Sequence, residues 1–344
     1  MKAQAKILVV GPSWVGDMVM AQSLFIALKK QAADCQIDVL APAWTFALLA
    51  KMPEVAHAIA MPVTRGQFGL MQRYRLGKSL RATGYDQAIV LPNSWKSALV
   101  PFFAGIPLRT GYVGECRWGL LNDARKLDKK QLTMTVQRFV ALAYSGQGQL
   151  PPKFAEPAIV TEKSQQQAVL QKLQLNSSMK TLALCPGAEY GAAKRWPVEH
   201  FAALAKYAVE LGWQVWLLGS GKDVAIATQV NQASGNICNN LAGRTSLAEA
   251  VDLLSLANAV VSNDSGLMHV AAALDRVMVA LYGSSDPGFT PPLNKKAKVI
   301  SLALDCSPCF KRECPLFPPG HENDTQCLSK ITPDRVLAAL DVLH

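Results

Sequence analysis

The stretch that decides the fold is AKILVVG at Ala5–Gly11, followed by PSWVGDMVMAQSLFIALKK at 12–30. Ala5–Gly11 is a short apolar run rich in β-branched residues, which predicts a buried strand, and Asp17–Lys30 predicts a helix. Further strands are predicted at Gln36–Pro42, His57–Pro62, Asp86–Pro92, Thr181–Gly187, Gln214–Ser220, Ile237–Gly243, Ala259–Ser265, Val277–Gly283 and Lys298–Leu304. Because strands alternate with helical stretches, the sequence favours parallel sheets covered by helices on both faces.

The pattern starts again after residues 146–180, which are rich in Gly, Pro, Gln, Ser and Lys and predict a linker. We therefore expect an α/β protein with two doubly wound, Rossmann-like domains, at 1–165 and 166–330. The segment 331–344 begins with Thr-Pro-Asp and predicts a final helix, expected to pack back on the N-terminal domain. Two such domains place a cleft between the carboxyl ends of two sheets, where ligands bind in open α/β folds.

The charge of the chain is uneven. The 344 residues carry a formal net charge of +10, and half are hydrophobic while only 17% are charged, which excludes a disordered chain. Residues 1–150 hold 18 Lys and Arg against 8 Asp and Glu, whereas residues 151–344 hold 17 of each. The whole excess lies in the first half, which indicates either an anionic partner there or only a solvated basic surface.

Several classes of protein are disfavoured. No apolar run approaches the roughly 20 residues of a membrane-spanning helix, and the N-terminus runs straight into a strand pattern without the features of a signal peptide. Four of the eight cysteines are scattered, so the spacing is not that of a secreted disulfide framework. The sequence therefore predicts a cytoplasmic protein.

The first strand–helix loop, Gly11–Asp17, matches neither a dinucleotide fingerprint nor a phosphate-binding P-loop. It supplies two glycines for a tight turn and one carboxylate, Asp17, at the start of a helix. From the loop alone, Asp17 is either the helix N-cap or a general base.

Three loops of the second half carry chemistry that suits an anion. The loop CPGAEYGAAKRWP at 185–197 combines glycines with Lys194, which suits a phosphate but also an ordinary surface loop. A turn that ends at Asp223 follows the next strand, where an acidic side chain can meet a ribose. In VSNDSGLMH at 261–269, Ser265, Gly266 and the first helical amides form an anion site with His269 nearby, or else serve as cap and packing residues.

Taken together and in this order, these segments resemble the lipopolysaccharide heptosyltransferases, most closely the heptosyltransferase II group of that family. The resemblance spans nearly the whole chain. Its segments are KILVVGPSWVGDMVMAQSL at 6–24, APAW at 41–44, MPEV at 52–55, YDQAIVLPNSWKSALVPFFAGIPLRTGYVGE at 85–115, CPGAEYGAAKRWP at 185–197, and the run from VVSNDSGLMHVAAAL to LYGSSDPGFTPPL.

The resemblance implies a GT-B fold whose N-terminal domain takes the acceptor and whose C-terminal domain takes the donor, ADP-L-glycero-β-D-manno-heptose. It implies inverting transfer of heptose to the first heptose of the inner core on lipid A–Kdo, with no metal and no cofactor. Asp17 then acts as the base and Lys194 holds phosphate and supports catalysis. The implied donor site consists of Gly187, Lys194, Asp223, Asp264, Ser265, Gly266 and His269.

The implied acceptor is a phosphorylated glycolipid at the cytoplasmic face of the inner membrane, so the resemblance implies peripheral membrane association and no nucleic acid. This gives the basic first half a specific meaning. Candidates to meet the acceptor, chosen by position, are Ser13, Trp14, Arg65, Arg73, Arg75, Lys78 and Arg109.

Four cysteines near the C-terminus stand apart from this chemistry. Cys306, Cys309, Cys314 and Cys327 lie in a Pro-rich loop with His321 between them. They could hold a structural zinc or an iron–sulfur cluster, or remain reduced thiols.

Other functions remain open from the sequence. They are heptosyltransferase I, another GT-B nucleotide-sugar transferase or epimerase, and a non-catalytic protein that binds anionic lipid or nucleic acid. Donor trials separate the enzymes, and binding that is indifferent to Asp17→Asn would indicate the non-catalytic class.

Overall fold

The alternating strands and helices form two parallel sheets, one in each half of the chain. The computed structural model describes residues 4–64, 66–145, 151–321 and 323–340. It divides into two units, Met1–Pro157 and Ala158–His344. The first unit therefore ends eight residues before the predicted limit of 165.

In the described part of the first unit, six strands pair in parallel in the order β3-β2-β1-β4-β5-β6. The strands are β1 Lys6–Val10, β2 Gln36–Ala41, β3 His57–Ala60, β4 Gln87–Val90, β5 Leu108–Tyr112 and β6 Asp123–Arg125. The helices are α1 Val15–Gln31, α2 Phe46–Leu49, α3 Leu70–Leu80, α4 Leu99–Phe103 and α5 Thr135–Ala141.

The described part of the second unit repeats this topology, with six strands in the order β12-β11-β10-β7-β8-β9. The strands are β7 Thr181–Cys185, β8 Gln214–Leu217, β9 Asn239–Asn240, β10 Ala259–Asn263, β11 Val277–Tyr282 and β12 Ala297–Ser301. The helices are α6 Lys163–Leu173, α7 Val198–Glu210, α8 Val224–Ser234, α9 Leu247–Leu256, α10 Gly266–Ala273, α11 Gln326–Ser329 and α12 Pro333–Ala339.

Both sheets have the strand order of a doubly wound fold, so the prediction of two Rossmann-like α/β domains is confirmed. The strand order reverses between β1 and β4 in the first unit and between β7 and β10 in the second. The loops after these four strands therefore lie at the two switch points.

The central strands are apolar because helices cover both of their faces. Leu8, Val9 and Val10 of β1 are at most 1% exposed, and so are all the residues of β10. A parallel sheet that is buried on both sides requires such continuous apolar runs.

The C-terminal helix α12 belongs to the second unit. Its side-chain cap, Thr332, accepts a hydrogen bond from the Arg335 amide at 3.4 Å. Val336 and Leu340 are fully buried in the same core cluster as Phe201 of α7. The packing of this helix on the first unit stays a prediction.

No helix in the described ranges combines the length and apolar character that are needed to cross a bilayer.

Candidate functional site

The loop after β1 places Asp17 at the switch point of the first sheet. Helix α1 begins at Val15 with Trp14 as its N-cap, so Asp17 occupies the third helical position and is not the cap. The helix dipole favours a negative charge in this first turn. Gly11 packs closely against α1 and β2, since a Cβ there would lie 2.8 Å from Met18 Cε and 3.2 Å from Val39 Cγ1. Ser13 is exposed and Trp14 is half-buried on the same loop.

Arg73 has a structural environment. It is only 5% exposed, and its Nε donates to Phe68 O at 2.8 Å while Nη1 donates to Lys96 O at 3.3 Å. Burial lowers the pKa of its guanidinium. These bonds tie the loop before α3 to the turn before α4, so a direct contact of Arg73 with an acceptor stays a prediction that its burial disfavours.

The other basic candidates are scattered. Arg109 lies near the start of β5, opposite Ala88 of β4, and therefore at the amino edge of the sheet, away from Asp17. Its Nε donates to Leu120 O at 2.7 Å and its Nη1 to Ile106 O at 2.6 Å. Lys78 and Arg75 are exposed on α3, and Arg65 lies outside the described residues. The structure therefore does not gather these cations around Asp17.

The second unit brings its predicted residues together at the carboxyl edge of its sheet. Lys194 Nζ and Asp264 Oδ2 form an ion pair at 2.5 Å, with the side chains 17% and 6% exposed. Lys194 lies in the short turn Ala192–Lys194 after β7, and Asp264 directly follows β10. The pair therefore joins the two strands that flank the switch point.

Asn263, which the sequence reasoning missed, holds these two loops in register. Its Oδ1 accepts from the Trp196 amide at 3.0 Å and its Nδ2 donates to Pro186 O at 2.8 Å. Trp196 is 1% exposed, and its Nε1 donates to Ile331 O at 2.8 Å. A polar residue at the buried end of an apolar strand was the available signal, since buried amides must find partners.

Helix α10 points its N-terminus at the same edge. Ser265 is the N-cap in extended conformation but makes no side-chain cap hydrogen bond, and its Oγ lies 3.3 Å from Ser262 Oγ. The helix begins at Gly266, which is half-buried. Amides at the start of a helix bind anions readily.

His269 lies in the first turn of α10 and is 5% exposed. Burial lowers the pKa of its imidazole to about 4, although the nearby Asp264 raises that pKa and Lys194 lowers it further. His269 is therefore neutral at physiological pH. The uncharged imidazole adds no positive charge to this edge, whereas Lys194 does.

Asp223 is enclosed by two glycines. A Cβ on Gly187 would lie 2.2 Å from Asp223 Oδ1, and a Cβ on Gly219 would lie 2.7 Å from Asp223 Cβ. Asp223 Oδ2 accepts from the Ser220 amide at 2.9 Å and from Ser220 Oγ at 2.7 Å. Gly187 and Asp223, predicted separately, thus form one contact between the loops after β7 and β8.

A loop from the C-terminal segment borders this edge and was not predicted to do so. Tyr190 Oη donates to Phe310 O at 2.8 Å, and the Ala193 amide donates to Arg312 O at 3.0 Å. Lys194 Nζ and the Arg312 guanidinium lie 5.1 and 5.5 Å from the centre of the Tyr190 ring. No local sequence pattern joins residues so far apart in the chain.

Two hydroxyls at this edge lack partners. Ser284 Oγ and Ser285 Oγ follow β11, are buried, and have no hydrogen-bond partner among the described residues. Buried polar atoms without partners are rare in folded proteins. A bound ligand or water would satisfy both hydroxyls.

The four C-terminal cysteines line one cavity of about 80 Å³. Burial raises the pKa of Cys327 to about 11, and proximity to the other three thiols adds to this. The pKa of Cys314 is lowered, because backbone amides of Thr325, Leu316 and Phe317 donate to its sulfur and outweigh its burial. Within the ranges that the structure describes, no three His, Cys, Asp or Glu residues are arranged to hold a metal ion.

Comparison with known proteins now identifies the chain. The model of glycosyltransferase family 9 (heptosyltransferase) matches residues 73–318. The chain belongs to glycosyltransferase family 9. The resemblance stated from the motifs is therefore confirmed, and this family 9 chain is a glycosyltransferase of the GT-B fold class.

Relatives of this family 9 chain are similar over almost their full length. Lipopolysaccharide heptosyltransferase 2 of Escherichia coli (strain K12) is 48% identical over 98% of both chains. Lipooligosaccharide heptosyltransferase 2 of Haemophilus influenzae is 50% identical over 86% of this chain and 88% of its own. The solved structure of E. coli ADP-heptose lps heptosyltransferase II superposes with a TM-score of 0.85 at 46% identity, covering 98% of both chains.

Proposed function

We propose that the protein transfers L-glycero-D-manno-heptose from ADP-heptose to the first heptose of the lipopolysaccharide inner core. The single observation that carries this proposal is the second-unit site, where Lys194, the α10 amides and Asp223 lie at the same edge of the sheet, after β7, β10 and β8. The proposal also rests on the 48% identical relatives that are named heptosyltransferase 2.

The donor would bind to the second unit through its diphosphate and ribose. The diphosphate needs positive charge, and Lys194 with the amides after Ser265 supplies it. In the ligand-free protein Asp264 holds Lys194 in place through their ion pair. Asp223 is positioned to accept from the ribose hydroxyls, and the unpartnered Ser284 and Ser285 hydroxyls add capacity for hydrogen bonds.

The acceptor would bind to the first unit, with Asp17 as the general base. Inverting transfer requires a base that removes the acceptor proton while the nucleoside diphosphate leaves from the opposite face. Asp17 lies on the switch-point loop, where parallel sheets bind ligands. The roles of Ser13 and Trp14 in acceptor binding rest on their place in the same loop.

The transfer would need no metal ion, because Lys194 and the helix amides can neutralise the leaving diphosphate. Its acceptor is a lipid-anchored glycan, so we propose that the enzyme works at the cytoplasmic face of the inner membrane as a peripheral protein. Net positive charge in the first half of the chain supports this location.

The test is a mass-spectrometric assay with purified protein, ADP-heptose and two acceptors, one carrying a single heptose and one carrying none. We expect one heptose to be added to the mono-heptosylated acceptor only. Transfer to the heptose-free acceptor would indicate heptosyltransferase I instead. Turnover of UDP-sugars, or epimerisation of the donor without transfer, would contradict the proposal.

A further inference from the structure

Helix α3 presents several apolar residues to solvent, although Leu76 and Leu80 on its other side pack against the core of the first unit. Leu70, Met71 and Tyr74 are 47%, 55% and 38% exposed, whereas the buried positions are Arg73 and Gly77. A surface helix normally turns its apolar stripe toward the core. Leu70, Met71 and Tyr74 therefore lie outside the side that α3 turns toward the core.

Helix α3 packs closely on α4 at Gly77. A Cβ on Gly77 would lie 2.5 Å from Phe103 Cβ and 2.9 Å from Val100 O, so the two helices touch where only glycine fits. Arg73 fills the remaining buried space with its hydrogen bonds to Phe68 O and Lys96 O. A side chain at position 77 would separate the two helices.

Neighbouring aromatic residues extend this surface. Phe68 and Trp95, 42% and 40% exposed, have ring centres 5.0 Å apart. Tyr74 and Phe103 meet edge to face at 5.2 Å, and Phe102 lies 5.6 Å from Phe103. We name the exposed set the α3–α4 face. It comprises Phe68, Leu70, Met71, Tyr74, Trp95 and Phe102.

The α3–α4 face is bordered by cations. Lys78 Nζ lies 5.8 Å from the centre of the Tyr74 ring, and the Arg109 guanidinium lies 5.6 Å from that of Phe102. From 54 to 115 the sequence has seven Lys and Arg and three acidic residues, Glu54, Asp86 and Glu115, and Glu115 Oε2 accepts from the Trp95 amide at 3.2 Å. Asp86 Oδ2 accepts from the Lys6 amide at 2.8 Å, before the start of β4.

We infer that the α3–α4 face docks on the surface of an anionic lipid bilayer. Exposed Trp, Tyr and Phe beside Leu and Met suit the interface between headgroups and acyl chains, and flanking Lys and Arg are attracted to anionic headgroups. An interface with a protein partner would not require this excess of Lys and Arg over acidic residues. Trp95 follows β4 at the same edge of the sheet as Asp17, whereas Arg109 lies at the opposite edge, so docking through the Trp95 end of the face would bring the Asp17 edge close to a lipid-anchored acceptor.

This inference rests on the proposed function only for the reason why the protein would dock on a membrane. The docking itself can be measured without any sugar. Purified protein is floated with vesicles of phosphatidylcholine alone or with 30% phosphatidylglycerol, and the bound fraction is measured. We expect binding to the anionic vesicles and little to the neutral ones. Because each cation contributes about 1 kcal/mol, Lys78→Ala should weaken binding about fivefold at low salt.

The apolar contribution is tested with Met71→Glu, which should lower vesicle binding about tenfold or more. Its matched control is Leu211→Glu in the second unit, which makes the same change in charge at a residue that is 45% exposed. The control variant should bind vesicles like the wild type. Equal unfolding temperatures establish that both variants fold. Tyr74→Ser is a second variant on the same face.

A separate readout is tryptophan fluorescence, where anionic vesicles should shift the emission to shorter wavelength and Trp95→Phe should remove part of that shift. Equal loss of binding in Met71→Glu and Leu211→Glu would overturn the inference. So would a concentration-dependent dimer that Met71→Glu dissolves, or binding to single-stranded nucleic acid but not to vesicles.

Failure of docking and failure of the proposed function are distinguishable. If the inference is correct, Met71→Glu transfers heptose normally to a delipidated, water-soluble acceptor but slowly to an acceptor in vesicles. If the variant is equally active on both acceptors, the inference is wrong while the proposed function stands.

Discussion

Lys194 Nζ and Asp264 Oδ2 lie 2.5 Å apart, at the point where the second sheet reverses its strand order. The pair is 17% and 6% exposed, so neither charge is well solvated. Without Lys194, Asp264 would present an unpaired carboxylate to an incoming diphosphate. In the proposed donor site the ion pair would therefore both position the cation and offset the negative charge of Asp264.

We expect Lys194→Ala to weaken ADP binding about 10- to 100-fold, because a charge-assisted contact with phosphate is lost. The variant should also be less stable, since a buried carboxylate is left without its partner. Calorimetric titration with ADP measures the first effect and urea unfolding the second.

Two controls separate these effects. Lys194→Ala/Asp264→Asn should recover stability but not ADP affinity. Lys222→Ala removes a lysine that is 73% exposed and paired with Glu189 on the neighbouring loop, and should change ADP affinity less than threefold. Equal losses in Lys194→Ala and Lys222→Ala would show that only overall charge matters.

Asp17→Asn should lower kcat about 10²- to 10⁴-fold, because the amide cannot accept the acceptor proton. ADP affinity should stay within twofold of the wild type, since the proposed donor residues all lie in the second unit. Steady-state kinetics and calorimetry measure the two quantities. Asp34→Asn, an exposed site in the same unit, is the control, and near-normal turnover of Asp17→Asn would exclude the base role.

Gly187→Ala should displace Asp223, because the new Cβ would lie 2.2 Å from its Oδ1. We expect weaker ADP binding and a loss of about 1–3 kcal/mol in unfolding free energy. Gly221→Ala is a matched control in the turn beside Asp223, since no atom lies within 4 Å of its new Cβ. If both alanine variants bind ADP normally, Asp223 does not contact the donor.

Acidification should destabilise the protein through His269. Its pKa is about 4 in the folded state, below the unfolded value near 6.5, so the unfolded chain binds the proton more tightly. This stability is present at neutral pH and is lost progressively as the pH falls from about 6.5 toward 4. Between pH 7 and pH 5 the loss from this group is about 2 kcal/mol.

The measurement is urea unfolding at both pH values for the wild type and His269→Gln. The variant should lose less stability than the wild type over this interval. An identical pH dependence in the two proteins would mean that His269 titrates normally.

The sequence predicted the central strands well because their signal is local. Apolar runs that end in Gly or Pro marked β1, β2, β4, β7, β10 and β11, each of which is buried on both faces. The strand Leu108–Tyr112 was missed because Arg109, Thr110 and Gly111 interrupt its apolar pattern. The edge strand Asp123–Arg125 has three polar or small residues and carries no apolar signal.

Some of the predicted site residues lie together in the structure and others do not, for a related reason. Motif residues such as Lys194 and Asp264 converge because strand ends converge in a parallel sheet. The acceptor cations were chosen from charge alone, and charge does not reveal burial: Arg73 is enclosed and Arg109 lies at the other edge. Tyr190 and Arg312 meet through tertiary folding, which no spacing in the sequence announces.

Because α12 is part of the core of the second unit, it determines which fragments of the chain should fold on their own. Every residue proposed to hold the donor lies in Ala158–His344, and Val336 and Leu340 complete that unit's own core. A fragment that starts at Ala158 should thus be an autonomous nucleotide-binding module. A fragment that stops before Thr332 should not, because it would leave Phe201 and its neighbours without their cover.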